Sequence, residues 1–136
     1  MMEGALRVLL IAPHISREAT GEGFAAFKIA EALQDRVRLT VAALQSPTHS
    51  PLGLQLPRAE VVTWPEPRLP GAGSRFRAMF KPEWPFFAAR LRRFLRREGA
   101  RFDLAHQIKP AALRYASPLR GQGLPYVIGP LGGTLA

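Results

Sequence analysis

Glycine, histidine and arginine are the residues of this chain whose spacing could support chemistry. Gly21-Glu22-Gly23-Phe24-Ala25-Ala26 fits the pattern G-x-G-x-x-G/A, in which bare backbone amides at a helix start take up a phosphate. The glycines come a whole loop after the preceding apolar run, and Ala43-Leu44-Gln45 contains no acid to hold a ribose. These two features argue against a nicotinamide enzyme. Two readings stay open: a phosphate site of another design at Gly21 and Gly23, and a flexible loop whose glycines merely begin a helix.

His14 follows one apolar run and His106 closes another, with Gln107, Ile108 and Lys109 next in sequence. An imidazole near neutrality can donate or accept a proton, so His106 and Lys109 could offer a ligand one hydrogen-bonding group and one cation. A satisfied structural histidine is the competing reading, and it weighs more for His14. His49 lies in a proline-rich loop and receives no role. With no cysteine and three scattered histidines that lack a nearby carboxylate in sequence, neither a metal site nor a bound cofactor is expected. The serines lack a nucleophile-elbow pattern, Asp103 reads as a structural polar group, and no paired carboxylates support a two-carboxylate glycosidase.

The third constellation runs from Trp84 to Arg97. Trp84, Phe87, Ala88, Leu91, Phe94 and Leu95 recur at helical spacing, while Arg90, Arg92, Arg93, Arg96 and Arg97 occupy much of the remaining surface. Such a helix packs its aromatic stripe on a sheet, or lies on an anionic membrane; the two are compatible if only Arg92, Arg93, Arg96 and Arg97 meet head groups. No stacking platform or known motif points to nucleic acid.

The elements that must position these residues are legible as alternation. Leu6 to Ala12 is a branched, near-continuous apolar run ending at Pro13, as a strand buried on both faces should be. A helix is expected from Phe24 to Asp35, strands over Val37 to Leu44 and Glu60 to Trp64, and a helix from Pro82 to Gly99. A fourth strand over Phe102 to His106, a short helix from Pro110 to Tyr115 and a fifth strand over Leu124 to Ile128 complete the pattern. Two long loops, marked by Pro47 to Pro57 and by Pro65 to Gly73, separate these elements. Strands alternating with helices predict an α/β, Rossmann-like parallel sheet with helices on both faces and strand order 3-2-1-4-5. Ligands of such sheets bind beyond the carboxyl ends of the strands.

The chain has 136 residues, is 47% hydrophobic and carries a formal charge of +9, which suits one globular domain facing anionic partners. The absence of cysteine fits a reducing compartment, and no apolar stretch reaches membrane-spanning length. A cytoplasmic protein is expected, peripheral at most to the inner face of the membrane.

Taken in order, Arg7 to Pro13, Gly21-x-Gly23 before Phe24 to Leu33, Phe102 to His106, and Val127-Ile128-Gly129-Pro130-Leu131-Gly132-Gly133 resemble the N-terminal domain of family 4 retaining glycosyltransferases of the two-domain GT-B fold. The resemblance covers nearly the whole chain, although no single motif is specific. It implies transfer of a sugar from a nucleotide-sugar donor to an acceptor with retention. Gly21 and Gly23 would lie near the donor diphosphate, and His14, His106, Lys109, Gly132 and Gly133 would face the acceptor. It also implies that residues 1–136 stop after the fifth strand and lack a C-terminal donor-binding domain, so the chain alone is expected to be inactive. Pro130 stands where many relatives carry a histidine, so that histidine's role does not transfer. The alternative is a non-catalytic Rossmann-like module docking on an anionic membrane or a partner domain.

Overall fold

The structure, a computed structural model, describes residues 4–67, 83–108 and 117–129. Five strands form one parallel sheet: β1 (Arg7–Ile11), β2 (Arg38–Gln45), β3 (Glu60–Pro65), β4 (Leu104–Gln107) and β5 (Tyr126–Ile128), in the order β3-β2-β1-β4-β5. The expected Rossmann-like α/β topology is therefore present. Among the described residues three α-helices accompany them, α1 (Glu22–Leu33), α2 (Leu52–Gln55) and α3 (Glu83–Glu98), with a 3-10 turn at Gly99–Arg101.

Alternation along β1 divides the core in two, because successive side chains leave a strand on opposite faces. Val8, Leu10 and Ala12 meet Phe27 and Ala30 of α1 and Leu52 and Leu56 on one face. Leu9 and Ile11 meet Trp84, Phe87, Leu91 and Leu95 of α3 on the other. Leu9, Leu10 and Ile11 are all fully enclosed, which explains why β1 is written as an uninterrupted apolar run.

Several boundaries differ from expectation for local reasons. α1 spans Glu22–Leu33 instead of Phe24 to Asp35; its first bond runs from the Ala25 N–H to the Gly21 carbonyl, 3.0 Å. β4 starts at Leu104 rather than Phe102, since Phe102 turns into the second core and the exposed Asp103 carboxylate binds Arg7. Asp103 is thus a surface ion-pair partner, not a polar group within a strand. β5 is shortened to Tyr126–Ile128, because Pro125 supplies only a carbonyl, to the Ala105 N–H at 2.9 Å. The loop marked by Pro47 to Pro57 contains the unforeseen α2, whose Leu52, with the following Leu56, caps the α1 side of the core. The helix expected over 110–115 lies outside the described residues.

Candidate functional site

The loop after β1 leaves the sheet through paired backbone, the Leu44 N–H reaching the Pro13 carbonyl at 2.9 Å. It presents His14, whose side chain is 40% exposed, between carboxylates from two other elements. Nδ1 lies 3.6 Å from Glu66 Oε1, just past β3, and Nε2 lies 3.5 Å from Glu83 Oε1, at the start of α3. The sequence reading found no carboxylate near a histidine; folding supplies two. No group of three or more histidine, cysteine, aspartate or glutamate residues able to hold a metal ion occurs among the described residues.

Gly21 and Gly23 sit at the start of α1. Gly21 has φ +59°, a region in which a side chain is strained. Gly23 is buried, and a Cβ there would come within 2.9 Å of the Ala19 Cβ. Both glycines thus have a backbone reason that needs no ligand. Glu22, in the first turn, places a negative charge where the helix dipole favours one.

Between these groups lies a cleft of about 460 Å³ at the carboxyl ends of the strands. His14, Glu18, Thr20, Glu22, Gln45, Ser46, His49 and Glu66 supply its polar side chains, and no lysine or arginine lines it among the described residues. Its walls are tied together. The Glu18 carboxylate accepts the Ser50 N–H at 2.5 Å and the Ser50 hydroxyl at 3.1 Å. The backbone bond is the main reason that this carboxyl is held below the usual range, with the Ser50 hydroxyl and the charge of His49 adding to it against partial desolvation. The Gln45 amide donates to the carbonyls of Ser46, His49 and Ser50 and accepts the Leu52 N–H. The buried Gln55 accepts the Arg17 N–H at 2.7 Å and donates to the Ser50 carbonyl at 2.8 Å. In the sequence Gln45 stands out only as not being an acid and Gln55 not at all, because a lone glutamine makes no motif.

On the other side of the sheet centre, His106 is in register with Leu10 of β1 and Val127 of β5. Its Nε2–H donates to the Gly129 carbonyl at 2.6 Å, while the Gly129 N–H returns a bond to the Gln107 carbonyl at 2.9 Å. His106 therefore fastens the start of the glycine loop to β4. Gln107, enclosed beside it, accepts the Ser117 hydroxyl at 2.5 Å. Lys109, Gly132 and Gly133 lie outside the described residues. Of the expected site residues, His14 and Gly23 line one cleft, Gly21 precedes its α1 wall, and His106 serves the neighbouring strand pair.

On α3, Trp84, Phe87, Ala88, Leu91 and Leu95 are buried, and Trp64 meets Phe87 edge-on with centroids 5.9 Å apart. The aromatic stripe is core, so it is not available to a bilayer. Arg93, Arg96 and Arg97 are exposed and Arg92 half-buried, and none has an ion pair among the described residues. No helix among the described residues is long and apolar enough to cross a membrane.

No protein-family model matches the sequence, and no curated protein matches it. Among solved structures, the C-terminal domain of a hydrogenase from Pyrococcus furiosus is similar with a TM-score of 0.61 at 18% identity, over 94% of each chain. A second structure of that domain gives 0.61 at 17% identity over 91% of each chain. Likeness at this identity extends to the fold alone.

Proposed function

We propose that this chain is the acceptor-side half of a two-domain glycosyltransferase, moving a sugar from a nucleotide-sugar donor to an acceptor with retention once a donor-binding domain faces it. The observation that carries the reading is the cleft at the carboxyl ends of β1, β2 and β3. Its carboxylates, imidazoles and amide, with no lysine or arginine among the described lining residues, suit the hydroxyls of an acceptor, which donate to carboxylates and exchange hydrogen bonds with imidazole. The donor diphosphate would approach the first turn of α1 at Gly21 and Gly23. There, Glu18, Glu22 and Glu66 oppose its charge. Stabilisation of the leaving diphosphate, the main electrostatic demand of such a transfer, then falls to cations of the second domain, and the chain alone does not turn over.

Amide chemical-shift mapping with a panel of simple glycosides and nucleotide sugars tests this directly. The expected result is a saturable response to at least one glycoside at Gln45, Ser46 and Glu66, weakened about ten-fold by Glu66→Gln, with no mass-detected transfer. A cleft silent to every glycoside sinks the acceptor assignment, and turnover by the 136-residue chain sinks the need for a second domain.

A second reading rests on Arg92, Arg93, Arg96 and Arg97. Four cations on one helix without a partner among the described residues suit a non-catalytic module that docks peripherally on an anionic membrane through charge alone. Flotation with phosphatidylglycerol vesicles at low salt should retain the wild type and release a variant with all four changed to Glu. If the vesicles never retain the wild type, this reading fails.

A further inference from the structure

A larger cavity, about 790 Å³, opens at the amino ends of the strands, opposite the cleft. Arg7, Arg38, Arg58 and Arg101 line it, with the carboxylates of Asp35 and Glu60. Arg7 and Arg38 are cross-strand partners in the β1–β2 register, so their guanidinium groups leave adjacent positions on the same face. Like charges so placed repel. Three of the arginines are compensated. Asp103 accepts Arg7 Nη2 at 3.0 Å and the Arg7 N–H at 2.9 Å. Asp35 accepts Arg58 Nη2 at 3.0 Å, and Arg101 reaches Glu60 at 2.6 Å and Glu98 at 3.0 Å. Arg38 has no such partner among the described residues. The carboxylates around the rim are already engaged, and among the described residues the Arg38 guanidinium is left over beside the β1 position that Arg7 occupies.

We propose that this cavity binds a phosphate group, as inorganic phosphate or a small phosphomonoester, between Arg38 and Arg7. A tetrahedral dianion offers enough oxygens to take the Arg38 fork together with the Nη1 side of Arg7, which Asp103 leaves open, and it neutralises the uncompensated Arg38 charge. The cavity volume lies within the range of small-molecule pockets, roughly 300–1,000 Å³. Phe102, Val37 and Leu39 add apolar wall for the body of an ester. The site lies at the opposite end of the sheet from the cleft and does not depend on the glycosyltransferase reading.

Inorganic phosphate titrated against chloride at matched ionic strength tests the proposal, followed by thermal unfolding and by the arginine Nε–H resonances. The expected result is a saturable rise in Tm with shifts at Arg7 and Arg38. Arg38→Gln should weaken the apparent affinity at least ten-fold. It should also melt no lower than the wild type in chloride, because it removes a repulsive charge, and its amide spectrum confirms that it is folded. Arg97→Gln removes the same charge from α3 and should leave the affinity unchanged. A response that does not saturate, one undiminished in Arg38→Gln, or one lost equally in Arg97→Gln overturns the proposal.

Discussion

At the residue scale, the glycines at the start of α1 and the surface carboxylates set the most accessible measurements. Gly23→Ala places a methyl 2.9 Å from the Ala19 Cβ, a short side chain that cannot swing away, and should cost about 1–3 kcal/mol by the usual penalty for overpacking. Gly21→Ala meets open space but keeps φ +59°, so its cost, about 1–3 kcal/mol, is backbone strain alone. Urea unfolding of the two variants reads both. Hydrogen bonds and charge from Arg7 lower the Asp103 pKa, Arg58 acts likewise on Asp35, Lys28 and Arg17 on Glu31, and chiefly Ser50 on Glu18. A carboxyl depressed in the folded state binds protons less readily than in the unfolded chain. Its contribution is therefore fully present above the unfolded pKa of about 4 and is lost as pH falls through the folded value. Stability should hold from pH 7 to about 5 and decline below about 4, and Asp103→Asn should flatten part of that decline in a pH series of urea midpoints. The glycine pattern was legible in the sequence, but its purpose was not, because the atom that forbids a side chain at Gly23 belongs to a loop residue with no motif.

At the element scale, α3 separates two roles that its sequence left combined. Phe87 is fully enclosed between α3 and the sheet, and Phe87→Ala should destabilise by about 3–5 kcal/mol through lost transfer energy and a residual cavity. Changing Arg93, Arg96 and Arg97 to Gln touches only exposed positions and should move stability by no more than about 0.5 kcal/mol each. Chemical unfolding of these variants would show whether the stripe and the basic face are as independent as their burial implies. Helical periodicity was enough to draw that stripe. It was not enough to find α2, four residues long, whose formation depends on Leu52 and Leu56 having a core to enter and on Gln45 receiving the Leu52 N–H.

At the scale of the whole molecule, one sheet is shared by both cores, since β1 contributes Val8 and Leu10 to one and Leu9 and Ile11 to the other. Loss of either core should take the other with it. Tryptophan fluorescence, which reports Trp64 and Trp84 on the α3 side, should therefore give the same urea midpoint as far-UV circular dichroism; two separated transitions would contradict a single cooperative unit. The two ends of this sheet differ in charge, with glutamates about the carboxyl-end cleft and arginines about the amino-end cavity. The sequence by itself determined the α/β class and the strand order, because branched apolar runs alternating with helical periods admit few right-handed parallel arrangements. It also marked the basic face of α3. Only the tertiary structure decided that His14 stands between Glu66 and Glu83, that His106 holds Gly129, and that Arg38, paired in register with Arg7, has no acid beside it among the described residues. Each of these relations joins groups from separate strands and loops. Local pattern governs backbone conformation, whereas the partner of a charged side chain is set by which strands lie side by side and in what register.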